Sequence, residues 1–396
     1  MSTLDVVSRS PHLYSIFALA AGRNVQVLAQ QIVRFRPKVA VLAEECHLPN
    51  LIEMLQATAL PREHWPELLA GPRALITSAI APEVDFVMSA IVGVAGLEAT
   101  YEAIRHGKRI GLANKEVLVA SGRIVIEAAK AMGTELIPVD SEHNGAHQCL
   151  RAGLRAEVTK LILTASGGPF RETPASELES VTPAQALRHP TWKMGQRITI
   201  DSATMMNKGF EVIEACWLFD MHPDEIGVVI HPQSSIHAMV EYTDGSVIAQ
   251  ASATDMRMPI QYALTYPARE DALVPKLDWT QARTWNFFPP DLAKFPALSL
   301  AYQAQRSGGA ATCTLNAADE IAVQAFLDER ISFPSIAAVV EETLARMPFR
   351  EPATVAEVLH VDRESRFIAE QVVSERSALR SKLNRAAQPQ SAIPIF

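Results

Sequence analysis

Cysteine is scarce in this chain of 396 residues, and no two of its four cysteines form a CxxC pair. Zinc knuckles need closely paired cysteines, and disulfide frameworks need several cysteines in a short chain, so the spacing predicts neither. We expect all four residues to be buried thiols in a reducing compartment. They are Cys46, Cys149, Cys216 and Cys313.

A surplus of positive charge is also missing. The formal net charge is -8, and lysine and arginine form no run. Nucleic-acid binding and membrane-surface binding both depend on a concentrated basic patch, so neither partner is expected. No apolar run approaches the roughly 18 residues that a membrane span needs, and residues 1–11 lack the basic and apolar segments of a secretion signal. These absences predict a soluble cytoplasmic protein. With 48% hydrophobic residues the chain can bury substantial cores, and 396 residues are enough for two or three domains.

The first 140 residues alternate short β-rich runs with helical runs. Apolar residues recur at helical spacing in 24–35, 97–106 and 116–132. Regular alternation favours strands over short buried helices for the β-rich runs, and it predicts the α/β class with a doubly wound parallel sheet of the Rossmann type. The predicted strands are SIFALAAG, KVAVLAE, RALITSA, DFVMSAIVG, KRIGLAN and TELIPVD.

The pattern changes after residue 140. KLILTASG, GVVIHP and the pair IHAMVEY and SVIAQAS indicate strands, and the Asp244-Gly245 sequence between the last two is typical of a hairpin turn. We predict a first domain over 1–140, an α+β domain over 141–275, and a linker rich in proline over 276–297. A helical bundle over 298–385 would follow, with helices near 298–306, 317–328, 334–347 and 355–383, and then a tail over 386–396.

Three carboxylates form the first candidate site. Asp140 and Glu142 follow the apolar run TELIPV, where a strand would pass into a loop, and Glu211 lies downstream in NKGFE. A set of oxygen ligands alone suits Mg2+ or Mn2+ rather than zinc. The alternative is that Asp140-Ser141-Glu142 caps the start of a helix.

Candidate phosphate-binding residues lie between these carboxylates. The turn Ser166-Gly167-Gly168 lets the backbone approach a ligand while the hydroxyl donates to a phosphate oxygen, although an ordinary tight loop has the same composition. Ser202, Asn207 and Lys208 could hold the dianion, with Glu211 turned toward the metal, unless the segment is a capped amphipathic helix. A metal beside a phosphate site predicts an enzyme that acts on a small phosphorylated metabolite.

Two further segments carry candidate site residues. Lys115 would open a helix at a strand end, where backbone N–H groups attract anions, or it would be a solvated lysine. His189, Trp192 and Met194 lie in a loop bounded by proline and glycine. Large apolar side chains there suggest a lid over 186–198 that excludes water, and the alternative is a loop packed permanently into the core.

The motifs VDSEHN, LTASGGPF, HPTWKMG, ITIDSATMMNKGFEVIEA, VVIHPQSSIHAMVEY and TLNAADEIAV resemble, in order and spacing, those of the 1-deoxy-D-xylulose 5-phosphate reductoisomerase family. The resemblance runs from Ser2 to about the last helix. It implies isomerisation and NADPH-dependent reduction of that phosphosugar to 2-C-methyl-D-erythritol 4-phosphate in the non-mevalonate isoprenoid pathway. It also implies a homodimer.

The resemblance assigns a role to each candidate residue. Asp140, Glu142 and Glu211 would bind Mg2+ or Mn2+, and Ser166, Ser202, Asn207 and Lys208 would bind the phosphate. The implied substrate contacts are Lys115, Ser141, Glu142, His189 and Glu211, and the implied catalytic residues are Lys115, Glu142, His189 and Trp192, with Trp192 closing over the substrate carbons. Gly22, Arg23 and Asn24 resemble the pocket for the adenosine 2'-phosphate of NADPH. Asn114, Glu116 and Gly195 match further cofactor contacts.

One feature departs from the family pattern. Members begin with a strand and a GSTGSIG-type turn that cradles the pyrophosphate, and this sequence starts inside the helix after that turn. We place the missing strand at the centre of the sheet, between SIFALAAG and RALITSA, and expect the natural chain to extend upstream of Met1. The alternatives are a truncated, non-catalytic homologue that binds metal and phosphosugar, and a different NADP-dependent oxidoreductase of a sugar phosphate.

Overall fold

The computed structural model describes residues 1–192 and 194–387, which divide into two compact units. The first unit comprises 1–117, 122–147 and 255–278, and the second comprises 118–121, 148–254 and the described residues from 279 onward. Residues 388–396 of the predicted tail lie outside the described residues. No helix in the described part of the chain combines the length and apolar character that a membrane crossing requires.

The first unit contains six short strands in two parallel sheets. The strand orders are β1-β2-β3 and β4-β5-β6, and every neighbouring pair is parallel. This architecture, with helices between successive strands, confirms the predicted α/β class. The strands are β1 (Ala18–Ala21), β2 (Val39–Leu42), β3 (Glu67–Ala70), β4 (Phe86–Ser89), β5 (Arg109–Leu112) and β6 (Leu136–Pro138).

Helices α2, α5 and α6 begin and end within one residue of the predicted bounds, and α12 to α15 lie on the other predicted runs, although α13 begins at Ala311 rather than near residue 317. In chain order the helices are α1 (Ser2–Arg9), α2 (Val25–Phe35), α3 (Leu48–Gln56), α4 (Pro72–Ala79), α5 (Leu97–Arg105), α6 (Glu116–Met132), α7 (Ser141–Leu150), α8 (Pro183–Ala186), α9 (Gln196–Thr204), α10 (Met206–Phe219), α11 (Arg257–Thr265), α12 (Pro296–Ser307), α13 (Ala311–Leu327), α14 (Ser335–Arg346) and α15 (Val355–Ala387).

The prediction of a strand at RALITSA is wrong. These residues lie in α4, and the strand is the preceding run, β3. Gly71 has φ +88°, which turns the chain at the end of the strand, and Pro72 then occupies the first helical turn, where its fixed φ suits a helix. The placement of a missing strand beside RALITSA is therefore wrong as well, because those residues form a helix.

Two apolar clusters hold the first unit together. In one, Leu28 and Ile32 of α2 pack with Leu42 of β2 and with Leu51 and Leu55 of α3, and all five are fully buried. In the other, α1, β6 with the following Val139, and α11 bury six apolar or aromatic side chains against one another. Burial of a large aliphatic side chain contributes about 1.5–3 kcal/mol. Strand β2 is thus covered by helices that belong to its own connections.

The second unit contains a mixed four-stranded sheet in the order β10-β9-β7-β8. Strands β7 and β8 are parallel and the other pairs are antiparallel, and Gly245 at φ +83° closes the predicted hairpin. The strands are β7 (Val158–Ala165), β8 (Ile226–Ile230), β9 (Ile236–Tyr242) and β10 (Val247–Ala251). Helices α12 to α15 form the predicted C-terminal bundle.

The region predicted as a linker, whose residues are all described, contains no helix before α12, which begins at Pro296. A backbone bridge joins Phe288 of this region to Ile230, with N–O distances of 2.8 and 2.9 Å. The bridge anchors an otherwise irregular segment to the edge strand β8.

The prediction that all four cysteines are buried is wrong for Cys46, which is exposed. The other three cysteines are buried. Burial raises the pKa of the Cys149 thiol to about 11 and the pKa of the Cys216 and Cys313 thiols to about 12. Cys46 differs because it lies in the turn between β2 and α3 rather than on a packed face.

The Ser166-Gly167-Gly168 turn packs against the backbone of α9. A Cβ on Gly168 would lie 2.8 Å from the carbonyl oxygen of Ser202 and 3.1 Å from the Cα of Ala203, and Gly168 has φ +69°. Glycine is therefore required for close packing of the turn on the helix, in addition to its left-handed conformation. This contact sets the end of β7 beside α9.

We predict that Gly168→Ala lowers the free energy of unfolding of the second unit by about 2–4 kcal/mol. About 1–3 kcal/mol comes from overpacking and about 1 kcal/mol from the left-handed backbone. Gly245→Ala is the matched control, because its φ is also positive but no atom of the described residues would lie within 4 Å of the added Cβ. Urea unfolding measures both variants, and equal losses would mean that the contact with α9 contributes nothing.

Candidate functional site

The ends of β5 and β6 bring two predicted site residues of the first unit together. The parallel register pairs Leu112 with Pro138, so the residues that follow each strand emerge at the same edge of the sheet. Lys115 and Asp140 meet there in an ion pair between Nζ and Oδ2. Both side chains are largely buried, with exposed fractions of 11% and 16%. A lysine and a carboxylate taken out of water together compensate each other's charge.

Asp140 leads directly into a helix, so the expectation of a loop after the strand is wrong. Its Oδ1 accepts the backbone N–H groups of Glu142 at 3.1 Å and His143 at 3.4 Å, which caps α7. The capping alternative is therefore correct, and it coexists with the ion pair because the two oxygens have separate partners. Next along the helix, the Ser141 hydroxyl donates to the Glu142 carboxylate at 2.7 Å. The first turn of α7 thus presents two carboxylates in fixed positions.

Three of the residues that resemble NADPH contacts follow strand β1 of the first unit. Asn24 caps α2, because its Oδ1 accepts the N–H of Val27 at 3.1 Å. Arg23 is exposed and pairs with Glu44, with 3.3 Å between Nε and Oε1. Gly22 follows β1, and a Cβ at this position would have no atom of the described residues within 4 Å. Gly22 therefore borders open space.

Asn114 is buried, and its side chain supports the loop after β4. Its Nδ2 donates to the carbonyl oxygens of Ile91 and, at 3.0 Å, Gly93, and its Oδ1 accepts the N–H of Val117 at 3.3 Å. These bonds hold two loops of the sheet edge together. Glu116 is the first residue of α6.

The second unit holds the other carboxylate. Met205, at φ 68°, separates α9 from α10, so Asn207, Lys208 and Glu211 lie in the first turns of a new helix rather than in a loop. Lys208 and Glu211 form an ion pair at i and i+3 and are only 5% and 1% exposed. Asn207 Nδ2 also donates to Glu211 Oε1 at 2.7 Å. Two residues predicted to hold phosphate therefore contact the predicted metal ligand in this structure.

Three predicted site residues form a hydrogen-bonded cluster in the second unit. His189 Nε2 lies 3.1 Å from the Ser166 hydroxyl and 3.0 Å from the Ser202 hydroxyl. Ser166 Oγ also accepts the N–H of Gly168 at 3.2 Å. The close packing of the glycine turn on α9 is what brings the two serines to one histidine.

The contacts of His189 define its charge state. Its Nδ1 accepts the backbone N–H groups of Thr191 at 3.1 Å and Trp192 at 2.9 Å, so this nitrogen carries no proton. The proton of the neutral ring is then on Nε2, which donates toward the serines. Burial lowers the pKa of His189, which favours the same neutral form.

The predicted lid lies between α8 and α9. Residues 187–195 have no regular secondary structure where they are described, and Lys193 lies outside the described residues. Trp192 and Met194 are half-buried, and Gly195 precedes the first residue of α9. His189 anchors this segment, because its ring accepts the backbone N–H groups of Thr191 and Trp192.

Sequence reasoning missed Arg197. This residue of α9 donates to Glu320 at 3.1 Å and to Asn316 at 2.8 Å, both on α13, and lies 3.7 Å from Asp201. It joins the helix that carries Ser202 to the C-terminal bundle. An arginine four residues before the buried Asp201, in a segment already dense in polar residues, was the available signal.

Comparison with protein families covers most of the chain. Residues 1–122 match the model described as 1-deoxy-D-xylulose 5-phosphate reductoisomerase. Residues 136–219 match the C-terminal domain of 1-deoxy-D-xylulose 5-phosphate reductoisomerase, and residues 251–368 match the DXP reductoisomerase C-terminal domain.

Individual relatives and solved structures agree with the family models. The curated 1-deoxy-D-xylulose 5-phosphate reductoisomerase of Solibacter usitatus is 66% identical over 377 residues, which cover 95% of each chain. The reductoisomerase from Zymomonas mobilis in complex with NADPH has a TM-score of 0.86 and 45% identity, covering 94% of this chain and 95% of its own. A DOX-P reductoisomerase in complex with NADPH, fosmidomycin and magnesium has a TM-score of 0.87 and 40% identity over the same shares. The chain therefore belongs to the 1-deoxy-D-xylulose 5-phosphate reductoisomerase family.

Proposed function

We propose a role for each site residue in the reaction of this family, the isomerisation and NADPH-dependent reduction of 1-deoxy-D-xylulose 5-phosphate to 2-C-methyl-D-erythritol 4-phosphate. The chain is an NADP-dependent oxidoreductase that uses a divalent cation and acts on a small phosphosugar. The observation that carries the assignment of residues is the pairing of a buried carboxylate with a lysine in each unit, Asp140 with Lys115 and Glu211 with Lys208.

Asp140, Glu142 and Glu211 are the proposed ligands of Mg2+ or Mn2+. Their donor atoms are all carboxylate oxygens, which is the set that a hard cation prefers. When bound, the cation would supply charge stabilisation to the carbonyl and hydroxyl oxygens of the substrate. A carboxylate that binds a cation no longer needs its lysine as counter-charge. Lys115 would then be available to a substrate hydroxyl and Lys208 to the phosphate, and Ser141 and Glu142 would contact the substrate beside Lys115.

Ser166, Ser202, Asn207 and Lys208 are the proposed phosphate ligands. Support comes from the second unit alone, where one neutral imidazole bridges the hydroxyls of Ser166 and Ser202. A hydroxyl that accepts from His189 Nε2 keeps its own proton for a phosphate oxygen. His189 thus orients two donors toward a dianion, and Lys208 supplies the opposite charge.

Trp192 is the proposed lid residue, with Met194 beside it. Its side chain is half-buried and its backbone N–H donates to His189, which supports a coupling between the proposed lid and the proposed phosphate site. Closure of an apolar side chain over the substrate carbons would exclude water from the reduction step.

The proposed NADPH contacts are Gly22, Arg23, Asn24, Asn114, Glu116 and Gly195. When bound, NADPH supplies the hydride. Open space beside Gly22 and the exposed guanidinium of Arg23 suit the adenosine 2'-phosphate, which an arginine recognises through charge-assisted bonds. The buried Asn114 acts by holding the loop at 91–93 in place.

We also propose a cytoplasmic homodimer. The edge strand β10 exposes Val247 and Ile248, with exposed fractions of 48% and 39%, and it pairs with β9 alone among the described strands. An apolar edge strand is suited to association with a second copy. A monomeric mass in light scattering would contradict this assignment. The non-catalytic alternative is not favoured, because the chain retains all the proposed metal and phosphate ligands.

We predict that Glu211→Gln and Glu142→Gln each reduce turnover by about a hundredfold or more and weaken Mn2+ binding by at least about tenfold, because a hard cation depends on ligand charge. Steady-state kinetics and electron paramagnetic resonance of Mn2+ measure the two effects. Glu172→Gln is the control, since this exposed carboxylate pairs with Arg171 at the surface of the second unit. Retention of both properties in either variant would refute the ligand assignment.

A pH dependence of stability follows from His189. Its pKa is lowered in the folded state, so its contribution to stability is complete above the unfolded value of about 6.5 and is lost as pH falls through the folded value. We expect the thermal midpoint of His189→Asn to fall less than that of wild type between pH 7 and about 5. His222→Asn, at an exposed histidine, is the control. Parallel curves for all three proteins would contradict a buried neutral His189.

We predict that Trp192→Ala raises KM or lowers kcat by at least about tenfold and shifts the thermal midpoint by less than about 2 °C, because a lid residue packs fully only around ligand. Trp279→Ala, at a tryptophan that is 69% exposed, is the matched control and should change neither quantity. A large loss of thermal stability for Trp192→Ala would instead place this side chain in the core.

A further inference from the structure

The turn between β2 and α3 carries three potential metal ligands that the proposed reaction does not use. Glu44, Cys46 and His47 each offer one ligand atom, and these atoms all lie within 4.8 Å of one another. Glu44 and Cys46 are exposed and His47 is half-buried. A carboxylate, a thiol and an imidazole so close together form a donor set different from the carboxylates of the proposed Mg2+ site.

The turn is held at both ends. Leu42, the last residue of β2, and Leu51 of α3 are fully buried in the same apolar cluster. Between them Glu45–His47 forms a single 3-10 turn, closed by a hydrogen bond of 3.3 Å from His47 N–H to the Glu44 carbonyl oxygen. The backbone that carries the three ligands is therefore preorganised, and only side-chain rotations remain free.

The spacing suits a tetrahedral ion. Zinc bonds of about 2.0–2.3 Å at tetrahedral angles separate ligand atoms by roughly 3.3–3.8 Å. Cys46 Sγ already lies 3.8 Å from Glu44 Oε2. The other separations, which are at most 4.8 Å, must shorten by no more than about 1.5 Å, which side-chain rotation at an accessible turn allows.

We propose that Glu44, Cys46 and His47 bind a thiophilic divalent cation, Zn2+, with the fourth position open to water. Sulfur and imidazole ligands select zinc over Mg2+, so the site is chemically distinct from the all-carboxylate one. Binding replaces the Cys46 thiol proton with the metal and releases that proton to solvent.

The two oxygens of Glu44 face different partners. Oε2 lies beside Cys46 Sγ, and Oε1 accepts from Arg23 Nε at 3.3 Å. Zinc can therefore bind Oε2 while Arg23 keeps Oε1, as an outer hydrogen-bond partner of the ligand. A bound cation would add positive charge beside the proposed 2'-phosphate position, so zinc should tighten NADPH binding by several fold. This effect on NADPH rests on the proposed NADPH role of Arg23.

The site itself is tested with Co2+ as a spectroscopic substitute for Zn2+, on the purified chain in excess Mg2+. We expect one equivalent to give a thiolate-to-cobalt charge-transfer band that Zn2+ abolishes. Cys46→Ser should remove the band, and Glu44→Gln and His47→Asn should each weaken binding by at least about tenfold. Glu45→Gln in the same turn and His64→Asn at another exposed histidine are the controls and should leave it unchanged.

Absence of the band, or a band unaffected by Glu44→Gln and His47→Asn, would overturn the site. The coupling is measured separately, by calorimetric titration of NADPH and NADH with and without Zn2+. Only NADPH should bind more tightly with Zn2+, and Cys46→Ser should cancel the gain. If the cobalt band behaves as expected but NADPH affinity does not change with Zn2+, the metal site stands and its link to Arg23 is refuted.

Discussion

The chain depends on neutralising buried carboxylates before any ligand arrives. An ionised carboxylate loses several kcal/mol of hydration on burial and persists only with a counter-charge and hydrogen bonds. In the first unit Asp140 meets this requirement through Lys115 and the N-terminus of α7, and in the second Glu211 meets it through Lys208 and Asn207. Lys115 and Lys208, the proposed substrate ligands, therefore form ion pairs with Asp140 and Glu211, the proposed cation ligands. Binding of both ligands would exchange one set of ion pairs for another at little net loss of charge compensation.

Backbone constraints put these groups in place. The parallel register of β5 and β6 places Lys115 and Asp140 at one sheet edge, because strands that run in the same direction end on the same side. In the second unit Gly168 positions the site residues, since only a residue without a side chain allows the turn after β7 to contact the α9 backbone. That contact brings Ser166 and Ser202 to His189, which bridges them. The neutral Nε2–H tautomer of His189 follows from its Nδ1, which accepts the backbone N–H groups of Thr191 and Trp192.

The wrong predictions have a common physical origin. RALITSA has the composition of a strand, but Gly71 and Pro72 before it start a helix, and local backbone geometry outweighs side-chain preference. Asp140 was expected in a loop because metal ligands and helix caps use the same residue types. In the structure one oxygen of this carboxylate caps α7 and the other pairs with Lys115. Cys46 was expected to be buried, although its neighbours Glu44, Glu45 and His47 are polar enough to have indicated a surface turn.

The sequence alone determined the α/β class, most strands, the long helices α2, α6 and α12 to α15, the shorter helix α5, the Asp-Gly hairpin and the family. Apolar periodicity, turn residues and motif order are local properties of the chain. The sequence also identified, by their chemistry, the carboxylates, serines and lysines of the candidate site. It could not determine that Asn207 and Lys208 contact Glu211, that His189 bridges two serines, or that Arg197 fastens α9 to α13. Those contacts join residues whose approach depends on how strands and helices pack, and only the tertiary structure fixes which hydrogen bonds and ion pairs satisfy each buried polar group.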